Sequence, residues 1–458
     1  MKKTLLALST LLLVVLLAVG LTLSVSADTI QSGTCGNLTW TLNETTGEFV
    51  ISGEGAMVWN GKFPPWRAYR GSIKSVRIED GVTSIDDTAF ALCEALTSVA
   101  ISDSVTSIGW MAFYGCTGLT SATIGNGVTS IDRETFYGCT GLTSVTIGNG
   151  VTGIGDSAFE GCTSLTSVTI PDSVTRIDSH AFGGCTSLTS LTIGNGVTSI
   201  DSSAFKGCTG LTSITIPFVV GGNFGYIFGA HGHFDQSSAI PTSLKNVIIT
   251  NATTIGHDAF YGCTGLTSIT IPDSVTSIES SAFLGCSGLT SITIPDSVTR
   301  IDSLAFKGCT GLTSVTIPNS VTNIGYSTFD GCTGLTKMIY CGTLEEWFAI
   351  SKGEDWKSGV VADLQLHNYE NDVCTFCGMT KPNDDGSTND DAANKNPTEN
   401  NSSANNNTPN NNNTSNNTSD SGDTSDKKSS GCFSSVSGFA LIVPLCGAAV
   451  LMVRKKKK

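Results

Sequence analysis

The chain has 458 residues, of which 39% are hydrophobic and only 14% are charged. Its 25 Lys and Arg residues against 39 Asp and Glu residues give a formal net charge of −14. This balance argues against a nucleic-acid-binding protein, because that function needs a basic face that displaces counterions from phosphate. Only five His residues are present, which disfavours a His-rich metalloenzyme, whereas Cys is frequent at 16.

The first 27 residues have the features of a secretory signal. A short basic start is followed by an almost wholly apolar run over residues 5–23, and small residues stand at Val25 and Ala27. This pattern predicts cleavage after Ala27 and a mature chain outside the cytoplasm. An uncleaved membrane anchor is the alternative.

A 23-residue repeat occupies residues 73–340. Leu-x-x-Val-x-Ile predicts a short strand, Gly-Asn-Gly or Pro-Asp-Ser a turn, Val-Thr-x-Ile a second extended piece, and Asp-Ser-Ala-Phe a tight turn or short 3₁₀ segment. A unit this short cannot bury its apolar face alone, so stacked copies predict one β-rich solenoid with twelve strand segments, not several globular domains. One repeat position holds ten cysteines: Cys93, Cys116, Cys139, Cys162, Cys185, Cys208, Cys263, Cys286, Cys309 and Cys332.

These ten cysteines are predicted to form a buried ladder of free thiols. Equivalent side chains in adjacent coils point in parallel, which suits stacking and not the dihedral angle of a disulfide. Free Cys is also among the most buried residue types. Inter-coil disulfides are the alternative, since even-numbered cysteine sets in secreted chains usually pair.

The repeat Gly-Cys-Thr-x-Leu-Thr-Ser-x-Thr-Ile-Pro-x-Ser-Val-Thr-x-Ile-x-x-x-Ala-Phe resembles the BspA-like leucine-rich repeat family, surface proteins of anaerobic and host-associated bacteria. Residues 28–72 resemble the β-hairpin cap that such proteins carry in front of the repeats. The resemblance implies a leucine-rich repeat solenoid that binds host matrix proteins or other bacterial surfaces. It says little about the ligand, because the matching residues are structural.

Residues 218–241 form an insertion in a degenerate repeat, because Cys208 and Cys263 lie 55 residues apart, which is two periods plus nine residues. The segment 224–228 is predicted to replace the Ala-Phe turn, and the loop after it to project from the coil. His231 and His233 with Asp235 suggest a metal site, and local packing of an irregular coil is the plainer alternative. The insertion concentrates aromatic residues, and its candidate ligand contacts are Phe224, Tyr226, Phe228, His231, His233 and Phe234.

The repeats also expose hydroxyl groups, as at Thr143, Ser144 and Thr146, and rows of hydroxyls can bind polymers through many weak hydrogen bonds. The alternative is that Thr is kept for its strand preference and for solubility. Acidic residues recur after Ile in the repeat frame, and we interpret them as turn residues, not as a catalytic pair. Examples are Asp132, Asp178, Asp201 and Asp302.

Residues 341–380 are predicted to cap the last coil, starting with an amphipathic helix at 342–347. Cys374-Thr375-Phe376-Cys377 resembles a zinc knuckle, since two thiolates two residues apart can chelate one ion. Cys341 and His367 would complete a structural zinc site. Because the chain is predicted to lie outside the cytoplasm, a disulfide among Cys341, Cys374 and Cys377 is the competing interpretation.

The last 78 residues are predicted to connect the body to a membrane. Residues 381–430 are dominated by Asn, Asp, Ser and Thr, so they cannot bury a core and are predicted to be a disordered stalk. Residues 431–458 form a hydrophobic anchor or sorting tail whose basic end, 454–458, would remain in the cytoplasm. Cys432 is an alternative site of processing or lipidation.

No catalytic constellation is found: the sequence has no Gly-x-Ser-x-Gly, Walker or His-Glu-x-x-His motif. We therefore predict a binding protein, not an enzyme, anchored outside a bacterial cell, with no cofactor apart from the zinc considered above. Host matrix proteins, other cell-surface proteins or glycans are the expected partners. A structural surface-layer or scaffold component without a specific ligand is the alternative.

Overall fold

The computed structural model describes residues 28–59, 61–219, 222–360, 362–366, 369–370 and 373–374. The predicted signal 1–27, stalk 381–430 and tail 431–458 lie outside these residues. Within the described ranges, no helix has both the length and the apolar character needed to cross a bilayer.

Strands dominate the described chain. The first half contains β1 (Ile30–Cys35), β2 (Leu38–Asn43), β3 (Glu48–Ser52), β4 (Gly55–Ala56), a 3₁₀ helix (Arg67–Tyr69), β5 (Ser75–Ile78), β6 (Val82–Ile85), β7 (Ser98–Ala100), β8 (Ser107–Ile108), β9 (Ser121–Thr123), β10 (Ser130–Ile131), β11 (Ser144–Thr146), β12 (Gly153–Ile154), β13 (Ser167–Ile170), β14 (Arg176–Ile177), β15 (Ser190–Ile193) and β16 (Ser199–Ile200).

The second half contains β17 (Ser213–Ile216), a second 3₁₀ helix (Phe224–Phe228), α1 (Gln236–Ala239), β18 (Asn246–Ile249), β19 (Thr254–Ile255), β20 (Ser268–Thr270), β21 (Ser277–Ile278), β22 (Ser291–Thr293), β23 (Arg300–Ile301), β24 (Ser314–Pro318), β25 (Asn323–Ile324), β26 (Lys337–Cys341), α2 (Leu344–Ala349), β27 (Ser351–Lys352), β28 (Asp363–Leu366), β29 (Tyr369–Glu370) and β30 (Val373–Cys374).

Each regular coil contributes one strand to each of two parallel rows. The long-strand row follows the order β3-β5-β7-β9-β11, then β13-β15-β17-β18-β20, then β22-β24-β26-β28. The short-strand row runs from β4 to β16 and resumes from β19 to β27. Residues 23 positions apart are in register, as for Val145 and Ala122. The twelve strand segments predicted between residues 73 and 340 are confirmed as β5 to β26 of the long-strand row.

The core between the two rows consists of stacked copies of the same residue. Phe113, Phe136, Phe159 and Phe182 are fully buried, and their rings stack with centroids 5.1–5.2 Å apart. The Leu at the start of each strand is likewise buried. Each coil therefore buries its apolar residues against the next coil, as the repeat pattern predicts.

The predicted thiol ladder is confirmed: all ten repeat cysteines are free and buried. Cys139 Sγ donates a hydrogen bond to the carbonyl of Phe113 in the preceding coil, over 3.2 Å, and most of the ladder repeats this contact. Burial raises the pKa of Cys208 and Cys286 to about 12. The thiols therefore contribute packing and donors to carbonyl groups of the interior.

The parallel arrangement continues beyond the predicted limits of residues 73 and 340. In front of β5, β1 and β2 form an antiparallel pair, β2 pairs antiparallel with β3, and β3 pairs in parallel with β5. After β26, one further turn follows, in which β28 pairs with β26 and β27 pairs with β25. Trp356 meets the end of the Phe stack, with its ring centroid 6.4 Å from that of Phe329.

The helix predicted at 342–347 is confirmed as α2, with a capping box at its start. The Thr343 side chain accepts a hydrogen bond from the Glu346 backbone, and the Glu346 side chain accepts one from the Thr343 backbone. The indole of Trp347 is buried and contacts the ring of Tyr340, with centroids 5.1 Å apart. The helix therefore covers the core next to β26.

The residue before each repeat cysteine has a left-handed backbone. Gly138 has a φ of 68°, and the equivalent glycines lie between 65° and 79°. Leu92 occupies this position in the first repeat with a φ of 58°, which a residue with a Cβ adopts only at a cost of about 1–2 kcal/mol. The coil corner thus favours Gly before the Cys, and Leu92 is the described exception at this position.

Candidate ligand-binding cleft

The insertion interrupts the short-strand row of the solenoid. Ser213 of β17 pairs with Asn246 of β18, so this coil is ten residues longer than a regular one. Between β16 and β19, no short strand is assigned among the residues that are described in this coil. The 3₁₀ helix Phe224–Phe228 and the loop after it take the place of that strand and its turn.

Two rings of the insertion replace one ring of the Phe stack. The Phe205 amide donates to the carbonyl of Ile227, so Phe228 takes the usual position next to the preceding coil. The Phe224 amide donates to the carbonyl of Ala259, and the Phe224 ring lies 5.1 Å from that of Phe260. The prediction that this segment replaces the Ala-Phe turn is confirmed.

Burial removes two residues from the predicted set of ligand contacts. Phe224 is 1% exposed and Phe228 is 2% exposed, so neither ring can meet a ligand. Their predicted role as contacts is wrong, because both rings are needed to fill the core of an irregular coil. Tyr226 and His233 are half-buried, His231 is exposed, and Phe234 is 78% exposed.

A buried glutamine fixes the insertion to the next coil. Gln236, at the start of α1, is fully buried. Its Oε1 accepts a hydrogen bond from the Gly225 amide (3.2 Å), and its Nε2 donates to the Asp258 carbonyl (3.0 Å). A Cβ at Gly225 would lie 2.3 Å from the Gln236 Cβ, so only glycine permits this approach. The 3₁₀ helix is therefore held at both sides.

A cleft of about 660 Å³ opens where the short strand is missing. This volume lies within the roughly 300–1,000 Å³ typical of ligand pockets. The floor includes Ser199 and Ile200 of β16, and the side chains that carry its chemistry are Asp201, Asn223, Tyr226, His231, His233, His257 and Asp258. The structure thus brings together three of the six predicted contacts, and Phe234 lies beside them against His233, with ring centroids 3.9 Å apart.

The loop of the insertion is folded around Asp235. Its carboxylate accepts hydrogen bonds from the backbone amides of His231 (3.1 Å) and Gly232 (2.9 Å), which hold the pKa of Asp235 below its ordinary value. Both carboxylate oxygens of Asp235 therefore accept hydrogen bonds from within the loop. In the described part of the chain, no three His, Cys, Asp or Glu side chains are arranged to hold a metal ion.

The acidic groups of the cleft have few partners. The Asp258 carboxylate lies 3.6 Å from His233 Nδ1. Asp201 has no hydrogen bond or ion pair through its carboxylate among the described residues, whereas Asp302, at the equivalent position of a regular coil, is paired with Arg300 at 2.9 Å. Burial raises the pKa of the neighbouring Asp178; the charge of Arg176 opposes this shift, and the charges of Asp201 and Asp156 add to it. Asp201 is therefore the unpaired carboxylate of the cleft, and Asp258 is the one that lies beside a His.

The hydroxyl face is only partly available to a ligand. Thr143 Oγ1 donates to the carbonyl of Thr120 over 2.9 Å, and most Thr residues at this position repeat the bond. Ser144 and Thr146 remain exposed on β11. Of the three hydroxyl residues at each such strand, the first thus links its coil to the preceding one. This gives Thr a structural role that was not expected from the sequence.

The predicted zinc ligands lie mostly outside the described residues. Cys341 is buried at the end of β26. His367 and Cys377 are not described, and only the backbone of Cys374 is, in β30. The zinc site and its disulfide alternative therefore stay predictions.

Gln236, His257 and Asp258 were missed from the sequence as parts of this site. A buried Gln inside an aromatic insertion has no pattern that marks it. His257 stands at a variable position of the repeat, which holds Trp110, Arg133 and Tyr326 in other coils, so no pattern marks it either. Asp201 was interpreted only as a turn residue, although Ser199 at the position of Arg300 could have shown that it lacks an ion-pair partner.

The stacked coils define the class of the protein, a leucine-rich repeat solenoid, which is a scaffold for protein interactions. The pattern described as "BspA type Leucine rich repeat region" matches residues 68–189, 152–228 and 238–348, with six copies. The chain therefore belongs to the BspA-type leucine-rich repeat family, which confirms the resemblance drawn from the repeat motif.

Solved structures of other bacterial proteins are similar to this chain. A leucine-rich cell surface protein of Faecalibacterium prausnitzii is 30% identical, with 71% of this chain and 98% of that one covered and a TM-score of 0.28. A leucine-rich repeat protein of Bacteroides ovatus is 24% identical, with 75% of this chain and 100% of that one covered and a TM-score of 0.28. An internalin of Listeria monocytogenes is 14% identical, with 72% of this chain and 90% of that one covered and a TM-score of 0.35. No curated protein matches the chain.

Proposed function

We propose that the protein is a bacterial cell-surface binding protein that recognises host matrix proteins or other surface proteins and glycans through its solenoid. The observation that carries this proposal is the interruption of an otherwise regular solenoid by a cleft with exposed aromatic and acidic groups. Regular coils use their side chains to bind one another, so a departure from the repeat that creates a cavity is the best candidate for a binding role.

The cellular location in this proposal rests on the two ends of the sequence and on family membership. A signal at 1–27 would export the chain, 28–72 would cap the repeats, 381–430 would form a stalk, and 431–458 would anchor or sort the protein. The net charge of −14 and the Thr-rich and Ser-rich coils agree with a soluble body held outside the cell.

The contacts proposed within the cleft are Tyr226, His231 and His233, with Phe234 beside it. Large side chains that are exposed next to a cavity are typical of binding hot spots, because they bury much apolar area at a small cost in entropy. Phe348 is equally exposed, at 74%, but it lies on α2 away from the cleft. It provides a matched control for Phe234.

The test is binding of the purified full-length protein to immobilised matrix proteins and to a glycan array. We expect selective binding to a small set of ligands and its loss in Phe234→Ala with Tyr226→Ala, while Phe348→Ala binds as the wild type does. Binding that is unchanged in the double variant would contradict the role of the insertion.

A surface-layer or scaffold component without a ligand is the second candidate, and the uniform Ser and Thr face of the coils favours it. It predicts weak, salt-insensitive association with every surface tested. Structural zinc at Cys341, His367, Cys374 and Cys377 is proposed independently of either function. Zinc analysis of the purified protein tests it, and the absence of stoichiometric metal would rule it out.

A further inference from the structure

The cleft presents hydrogen-bond acceptors and negative charge. Asp201 and Asp258 supply two carboxylates, and no Lys or Arg is among the described residues that line it. Asn223 also lines the cleft, and its buried Oδ1 has no donor within the described residues. Asp258 lies beside His233, whereas the Asp201 carboxylate has no partner within the described residues. Carboxylates in a cavity without Lys or Arg favour a ligand that brings both positive charge and several N–H donors.

An aromatic rim stands beside these carboxylates. The rings of His233, Phe234 and Tyr261 contact one another, with Phe234 and Tyr261 centroids 5.6 Å apart and His233 and Tyr261 centroids 5.2 Å apart. Phe234 is the most exposed large apolar residue of the described chain, at 78%. Exposed aromatic faces attract cations, and they also pack against the alkyl part of a long side chain.

The site is held in place before any ligand binds. Gln236 links the 3₁₀ helix to the backbone of Asp258, and Asp235 ties the loop that carries His231 and His233. Preorganised groups lose little entropy on binding, which raises the affinity that a small cleft can reach.

We propose that this cleft binds the guanidinium group of an arginine in an extended segment of a partner protein. Arginine offers five N–H donors, no acceptor and a planar fork that matches a carboxylate, and its flat face stacks on aromatic rings. A neutral glycan is less well matched, because it brings no positive charge to the two carboxylates. The inference rests on the proposed binding function and names its ligand class at the insertion.

The test uses a fluorescent peptide with alternating Arg and Ser residues and an otherwise identical peptide with citrulline, which is neutral and nearly the same shape. Binding to the full-length protein is followed by fluorescence anisotropy at 0.15 M salt, which screens long-range attraction to an acidic protein. We expect the citrulline peptide to bind at least about tenfold more weakly, as the loss of charge-assisted hydrogen bonds implies. A lysine peptide of the same length tests whether the planar fork matters, and equal binding would contradict the choice of arginine.

The matching change in the protein is Asp201→Asn combined with Asp258→Asn. Asn keeps the side-chain shape and tolerates the left-handed backbone of Asp258, whose φ is 55°, so unchanged thermal unfolding is expected. We expect this variant to bind the arginine peptide at least about tenfold more weakly. Asp302→Asn removes one carboxylate charge from a regular coil and should leave affinity within about twofold of the wild type.

Four outcomes would overturn the assignment: no binding of the arginine peptide to the wild type, equal binding of the citrulline peptide, equal binding of the lysine peptide, or equal losses in the Asp201/Asp258 double variant and in Asp302→Asn. Matrix-protein binding of the same variants is measured separately. If the arginine peptide fails to bind while matrix proteins still do, the cleft assignment falls and the surface-binding function stands.

Discussion

The buried thiol ladder predicts that the protein loses stability in mildly alkaline solution. Burial raises the pKa of Cys208 from its ordinary value of 9.0 to about 12, so the folded state binds the thiol proton more tightly than the unfolded state does. The stabilisation is therefore fully present below pH 9 and is lost as the pH rises to 12. A difference of about three pH units corresponds to about 4 kcal/mol for this thiol.

The perturbation that isolates this effect is Cys208→Ser. The Ser hydroxyl does not ionise in this range, and it keeps a donor for the carbonyl of Phe182, which Cys208 Sγ contacts at 3.2 Å. Between pH 8 and pH 10.5, the wild type should lose about 2 kcal/mol more unfolding free energy than the variant does. Cys286→Ser should give a similar difference, because burial also raises the pKa of Cys286 to about 12.

The assay is urea unfolding followed by circular dichroism, with a reductant that prevents oxidation. Leu211→Val, in the same coil as Cys208 and fully buried, is the control, since it should lower stability by about 1 kcal/mol at every pH. Equal pH dependence in the wild type and Cys208→Ser would refute the reasoning, because it would mean that the thiol ionises without unfolding.

Three further substitutions, two of them with a control substitution, test how the coils are held together. Phe159→Ala removes a ring that stacks on both sides and should lower the unfolding free energy by about 3–5 kcal/mol. Its control is Phe234→Ala, which removes an exposed ring and should change the unfolding free energy by less than about 0.5 kcal/mol. Urea denaturation measures both values. Gly196→Ala would place a Cβ 1.7 Å from the Asp172 carbonyl oxygen and should lower the unfolding free energy by about 1–3 kcal/mol. Its control is Gly71→Ala, whose added Cβ would have no neighbour within 4 Å, so thermal unfolding should be nearly unchanged. Thr343→Ala breaks the capping box and should cost about 1 kcal/mol, read as faster amide hydrogen exchange in α2; unchanged exchange would contradict it.

The regular part of the fold could be predicted from the sequence because one period repeats many times. Val145 and Ile147 mark a strand in one coil, and residues 23 positions away do so in the next, so each coil confirms the others. The thiol state of Cys139 followed from the same regularity, since residues in register point in parallel and cannot reach the disulfide geometry. Periodicity thus specifies both the contacts and their chemistry.

The irregular coil could not be predicted in the same way, because nothing in the chain repeats it. The sequence shows that Phe224, Phe228 and Phe234 are aromatic, but it does not show that two rings enter the core and one remains in solvent. The role of Gln236 could not be predicted for a similar reason, since its two hydrogen bonds join groups that are distant in sequence. The ladder of Thr hydroxyls was also missed, because a bond to a carbonyl one coil away leaves no trace in composition.

The repeat itself limits where a ligand can bind. In regular coils, Thr hydroxyls such as that of Thr143 donate to carbonyl groups of the preceding coil, and thiols such as that of Cys139 do the same inside. Carboxylates such as Asp302 pair with Arg in their own coil. Asp201 has Ser199 at the position of that Arg, so its carboxylate stays unpaired. Where the insertion removes a short strand, a cavity opens beside Asp201. The interruption thus creates the space next to an unpaired carboxylate, so we expect selectivity to change with residues 218–241 and affinity for extended surfaces to change with the number of coils.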